Sequence, residues 1–289
     1  MLDIRTILVP TDLSERSERA MEHAAALALH FDAKLIAAHV VPPAPHEYQL
    51  LGKGLAPEKN AENLRRFENQ LAEQVRQAAA GCSAERIVVT GDPAHQIEQL
   101  ISQRNVDLAV LSTHGYGAFR RLLLGSVVAK VLHDVSCPVM TGAHLTDKPV
   151  FRSVPYKTVA CALGLRDMAH SEKVLRWAAD FAKSWSASLH VIHVPPSIDW
   201  SAGEWFPDET QELVRQASRE KLTALLADVG CEATVHTRGT EAVGYAADIV
   251  RAIEADVLVI GRSVEHGLLG GGSDAFGLIR QSPSPVISV

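Results

Sequence analysis

A chain of 289 residues is long enough for two domains of ordinary size rather than one. With 47% hydrophobic and 21% charged residues there is material for two cores, and no apolar run approaches the ~20 residues that a membrane-spanning helix needs. A formal net charge of -6 argues against non-specific attraction to nucleic acid or to an anionic membrane.

The opening M-L-D-I-R-T-I-L-V-P is a strand-like run broken by proline, without the long apolar region of a signal peptide. Apolar, β-branched runs then predict strands at Thr6–Val9, Leu35–Val41, Arg86–Thr90, Leu108–Leu111 and Pro138–Met140. Helix-period segments separate them at Ser17–Leu29, Ala61–Ala79, Ala94–Ser102 and Ser126–His133. Strands alternating with helices in this way make an open parallel sheet wound by right-handed crossovers, an α/β domain.

The series then restarts. Thr158–Ala162, Leu189–Val194, Thr234–His236, Val257–Ile260 and Pro285–Val289 repeat the strands. Individual residues repeat with them: Ala38-His39-Val40 matches Ile192-His193-Val194 at an offset of 154, and the run at Val106–Val110 matches Ala255–Val259 at 149. Cys137-Pro138-Val139 matches Ser284-Pro285-Val286 at 147. The expected architecture is therefore two tandem doubly wound domains, each a five-stranded parallel sheet with helices on both faces. They would cover 1–144 and 155–289, joined by the Gly/Pro/polar stretch from Gly142 to Pro155.

Cys82, Cys137, Cys161 and Cys231 form no CxxC pair, which fits a reducing cytoplasm. The 13 histidines include no HExxH or similar ligand spacing, so no metal site is expected.

Chemistry concentrates at predicted strand ends. In an open parallel sheet, ligands sit beyond the carboxyl ends of the strands, where strand order reverses. Pro10-Thr11-Asp12 ends the first strand, Val40-Val41 the second, and Leu111-Ser112-Thr113-His114-Gly115 the fourth. A loop then runs to Gly125-Ser126, where Ser126 is placed to N-cap a helix over Val127–His133. A helix N-terminus has unpaired amide donors and a partial positive charge, so it attracts anions. Gly125 removes a Cβ, Ser126 adds a hydroxyl, and Arg120 or Arg121 can meet the charge of a phosphate. The bland alternative is ordinary turn and cap chemistry with a solvated arginine pair.

The stretches I-L-V-P-T-D-L-S-E at Ile7–Glu15, A-A-H-V-V at Ala37–Val41, T-G-D-P-A at Thr90–Ala94, S-T-H-G…L-L-L-G-S-V at Ser112–Val127 and S-C-P-V at Ser136–Val139 together resemble the universal stress protein family. The resemblance implies a tandem member with an adenine nucleotide alpha hydrolase-like fold. ATP-binding members carry Gly, two residues, Gly, nine residues, then Gly-Ser or Gly-Thr. Here Gly115, nine residues and Gly125-Ser126 match, while Ser112 replaces the leading glycine. By the same carry-over Asp12 and the Val40 backbone would meet base and ribose, and Gly115, Gly125, Ser126 and Val127 the phosphates. Pro10, Thr11, Leu111, Ser112, His114 and Arg120 complete the expected set.

The second copy reads as degenerate. Gly164 stands where Asp12 does, Val264 replaces Gly115, and only seven residues separate Val264 from Gly272. The shorter loop carries Glu265 and His266 without an arginine, and Asp274 follows Gly272-Ser273 where it would repel a phosphate. Trp200, Trp205 and Phe206 lie in a connection and read as a packing patch.

The expectation is a cytoplasmic, ATP-binding stress-response regulator with one site in the first domain. Mg2+ would accompany the triphosphate, and ADP or AMP are alternative ligands. The resemblance implies that the last strands, at Pro138 and Pro285, pair between the domains; a homodimer is expected, with no nucleic-acid or membrane partner. The rivals are a non-nucleotide interaction scaffold and a slow ATPase. The sequence has no GxSxG elbow, and His114 beside a glycine turn reads as structural.

Overall fold

The computed structural model describes residues 2–43, 57–112, 125–142, 154–195, 208–237, 242–262 and 273–289. The chain divides into two compact units whose main bodies are Asp3–Gly142 and Pro155–Val289.

In the first unit the order is β1 (Thr6–Thr11), α1 (Glu15–Phe31), β2 (Lys34–Val41), α2 (Pro57–Ala78), β3 (Ala84–Thr90), α3 (Pro93–Gln103), β4 (Leu108–Leu111), α4 (Ser126–Asp134) and β5 (Val139–Thr141). All strand pairs are parallel, in the order β3-β2-β1-β4-β5. Ile7, Leu8 and Val9, and likewise Leu108, Ala109 and Val110, are wholly buried, as expected of strands covered on both faces. α1 packs with α2, and α3 with α4, so helices cover both faces. The strand order reverses between β1 and β4, which is the switch point of this sheet.

The second unit repeats the plan with β6 (Thr158–Ala162), α5 (Met168–Trp185), β7 (Ser188–Ile192), α6 (Asp208–Val229), β8 (Thr234–His236), α7 (Ala242–Ala252), β9 (Val257–Ile260), α8 (Ser273–Gln281) and β10 (Val286–Ser288). Its order, β8-β7-β6-β9-β10, is the same and again all parallel.

Small devices are duplicated along with the strands. Asp107 Oδ2 accepts the amides of Arg5 and Thr6, and Asp256 Oδ2 accepts those of Lys157 and Thr158. Two left-handed positions are duplicated as well. Asp32 (φ 52) after α1 matches Ser186 (φ 54) after α5, and Asn105 (φ 48) matches Glu254 (φ 50). The cores differ in filling: the second unit packs Tyr156 against Phe181 at 5.5 Å and Trp185 at 5.0 Å.

Two expectations need correction. Strand β1 continues through Pro10 to Thr11, because the ladder with β2 persists to Thr11 opposite His39. Helix α4 is N-capped by Gly125 rather than Ser126, which is its first helical residue. The Ala129 amide bonds Gly125 O at 2.9 Å, so the first helical turn closes one residue earlier than the serine suggested.

Candidate functional site

The site is built at the carboxyl ends of β1 and β4. Their ladder contains only Ile7 opposite Leu108 and Leu8 opposite Ala109, after which it stops. Thr6 O faces β4, since it accepts the Asp107 amide at 2.9 Å, and backbone alternation puts Pro10 on that same side. Pro10 has no N–H to give, so the ladder cannot be extended there. The counterpart in the second unit is Ala162, which has an amide, and there the ladder runs on to Ala162 opposite Ile260. The β1–β4 ladder therefore ends two pairs short of its counterpart between β6 and β9.

Pro10, Thr11 and Asp12 lie on the β1 side beyond the end of this ladder, Leu111 and Ser112 on the β4 side. β4 and β5 are parallel, so the intervening α4 must run back against them, starting at the carboxyl end where Gly125, Ser126 and Val127 sit. Ser126 is exposed, Ser112 is partly exposed, and Leu111 is buried. Val40 is buried opposite Val89 at the end of β2, which leaves its main chain as the part available to a ligand. His114, Gly115 and Arg120 lie outside the described residues, as do Arg121, Trp200, Trp205, Phe206, Val264, Glu265, His266 and Gly270–Gly272.

The loop after β1 is held by its own side chains. Thr11 Oγ1 donates to Gln74 Oε1 at 2.6 Å and accepts the Leu13 amide at 2.9 Å. Asp12 Oδ1 accepts the Ser14 amide at 3.1 Å and its hydroxyl at 2.5 Å. Asp12 Oδ2 is buried and has no hydrogen-bond partner among the described residues. A carboxylate oxygen withdrawn from water in this way costs free energy until a donor reaches it. Leu13 takes φ 63, a left-handed conformation unusual for a branched residue.

The start of α4 shows the complementary property. Ser14 caps α1, Asp92 caps α3 and Asp167 caps α5, each accepting a main-chain amide of the first turn. Gly125 supplies no such acceptor to α4. The first-turn amides, without a side-chain cap from Gly125, thus lie with the positive end of the helix dipole at the carboxyl side of the sheet. The site offers an acceptor at one end and a cluster of donors at the other, which suits a ligand with hydroxyl or amino groups at one end and an anion at the other.

In the second unit Gly164 replaces Asp12, and Leu163 replaces Thr11. His170, in the first turn of α5, crowds Gly261 after β9; a Cβ on Gly261 would collide with the His170 ring and lie 3.0 Å from Val174 Cγ2. No group of three or more His, Cys, Asp or Glu residues converges as a metal site among the described residues. Sequence reasoning missed Gln74. Its signal was a polar residue on the buried stripe of α2 that includes Leu71 and Ala78.

Two doubly wound units of one topology, each with its switch point between its first and fourth strands, place this chain among duplicated α/β proteins. The universal stress protein family model matches it twice, over residues 3–141 and 155–289. The chain belongs to the universal stress protein family. A universal stress protein of Methanocaldococcus jannaschii is 31% identical over 143 residues, which are 47% of this chain and 80% of that protein. One from Thermus aquaticus is 34% identical over 137 residues, 47% of this chain and 96% of that protein. The crystal structure of a universal stress protein from Archaeoglobus fulgidus DSM 4304 shares the fold, with a TM-score of 0.66 at 22% identity, covering 99% of this chain and 98% of that one.

Proposed function

We propose that the first unit binds an adenine nucleotide, ATP, and that the chain serves as a nucleotide-binding regulator of a stress response rather than as an enzyme. The observation that carries this reading is the Asp12 Oδ2 atom, buried and without a hydrogen-bond partner among the described residues, just beyond the end of β1. A ribose hydroxyl or an adenine amino group supplies the donor it lacks. The α4 amides, left without a side-chain cap at Gly125, suit the phosphates. When bound, the nucleotide supplies the charge and the hydrogen-bond donors; the protein positions them.

Among the described residues the second unit lacks the carboxylate. Gly164 stands at the position of Asp12, the β6–β9 ladder runs on to Ala162 opposite Ile260, and His170 crowds the strand end at Gly261. One nucleotide per chain follows. Calorimetric titration with ATP tests the reading: the expected result is one site per chain, lost in Asp12→Ala. No heat of binding at millimolar ATP would overturn it.

A further inference from the structure

The polar pair Thr11–Gln74 is present in only one of the two units. Gln74 is 9% exposed on α2, and Thr11 is 6% exposed at the end of β1. Besides accepting from Thr11, Gln74 donates through Nε2 to Ser14 O at 3.3 Å. It thus grips both ends of the segment 11–14. The Thr11 hydroxyl has one proton, which it gives to Gln74, leaving its lone pairs for the Leu13 amide. Ser17 Oγ, 2.8 Å from Thr11 Oγ1 and 2.9 Å from Ser14 O, closes the network.

The second unit shows the same frame without the pair. His39 and His193 bond the carbonyls of Thr11 and Leu163, which makes Leu163 the counterpart of Thr11. Leu71 and Leu222 are equivalent, deeply buried positions of α2 and α6, and three residues further on Gln74 is matched by Leu225. Leu163 and Leu225 are buried as well, at 6% and 3% exposure. Both polar partners have been exchanged together for leucine. The left-handed Leu13 has no counterpart at Leu165, although the left-handed residues ending α1 and preceding β4 are both duplicated. The pair and the strained loop therefore occur together in the unit with the carboxylate, and neither occurs in the unit without it.

We infer that Gln74 is a positioning residue of the nucleoside end of the first-unit site: it fixes Thr11, Thr11 holds the Leu13 amide, and the loop so shaped presents Asp12 to the ligand. The inference rests on the nucleotide-binding reading of this unit. A buried network suits the task because Gln74 is tied to Thr11 through one amide atom and to Ser14 O through the other, which fixes the segment between them.

The test compares ATP with inorganic tripolyphosphate, which has the anion and lacks the nucleoside, in the full chain and in Gln74→Leu. ATP affinity should fall roughly tenfold, the equivalent of one hydrogen bond's worth of positioning, while tripolyphosphate affinity stays unchanged. A purely structural loss would lower stability without changing that ratio. In the ligand-free protein, the Leu13 amide should exchange with solvent faster in Gln74→Leu. Thr11→Val should reproduce both effects and Thr11→Ser neither, which carries the comparison if Gln74→Leu does not fold. An unchanged ratio in a protein that binds ATP overturns the positioning role alone. Failure of the unaltered chain to bind ATP overturns the nucleotide reading and, with it, this one.

Discussion

His39 and His193 make the same bond in the two units, each donating its Nδ1 proton to a carbonyl at the carboxyl end of the first strand: Thr11 at 2.8 Å and Leu163 at 2.9 Å. A carbonyl only accepts, so Nδ1 carries the proton of this bond in both rings. His193 Nε2 is buried without a partner among the described residues, and burial lowers the His193 pKa against the smaller opposing effect of its bond to Leu163.

Acid should therefore destabilise the fold well above the carboxylate range. His23, His190, His193 and His236 all have depressed pKa values, with burial as the main cause in each and His23 lowered to about 3. A histidine held neutral in the folded state takes up its proton only on unfolding, so stability is complete above the unfolded pKa near 6.5. It falls as pH drops from there toward the folded value. His23 alone should remove about 2 kcal/mol between pH ~7.5 and pH ~5. Urea unfolding at the two pH values measures this, and His23→Leu should flatten the dependence.

Asp107 and Asp256 should behave as twins. Each carboxylate closes two main-chain amides where the first strand of its unit begins, at 2.7 to 3.0 Å. Replacing either with alanine leaves one part-buried amide without its acceptor and the exposed one to water, and should cost about 1–2 kcal/mol. Thermal unfolding of each variant is the measurement, and equal losses are expected because the geometries match.

Stability and binding should move in opposite directions in Gly125→Asp. A carboxylate at the N-cap of α4 supplies the acceptor that position lacks and should raise stability by a few tenths of a kcal/mol. The same negative charge occupies the donors assigned to phosphate, so ATP affinity should fall at least ~10-fold. Calorimetric titration alongside urea unfolding reads both signs.

Gly261→Ala should destabilise the second unit by about 1–3 kcal/mol, because the added methyl meets the His170 ring and Val174. Paired with His170→Ala, the same substitution should recover most of the loss. Independent, additive losses in the double variant would show that His170 does not crowd this glycine.

Much of the fold could be read from residue order. The strands Leu108–Leu111, Thr158–Ala162, Thr234–His236 and Val257–Ile260 fall where the apolar runs placed them, because short runs bounded by turn residues have one reading in an alternating α/β chain. The proline at position 10 suggested a strand end; instead the ladder with β2 continues past it, since only the β4 side needed the missing amide. Asp12 stood out through its place at a strand end. Gln74 did not, since its partner Thr11 lies 63 residues away and a side-chain pair at that separation leaves no period in the sequence. The Gly125 cap was missed for a local reason: the serine beside it is the better capping residue by type, and helix geometry chose the glycine.

Pro10 carries one last consequence, and it concerns rates. With no amide at position 10, the β1–β4 ladder has no form in which it runs on past Leu8. No strand must separate before a ligand enters, so association should show one concentration-dependent phase, with no slower isomerisation step to limit it at high ligand concentration.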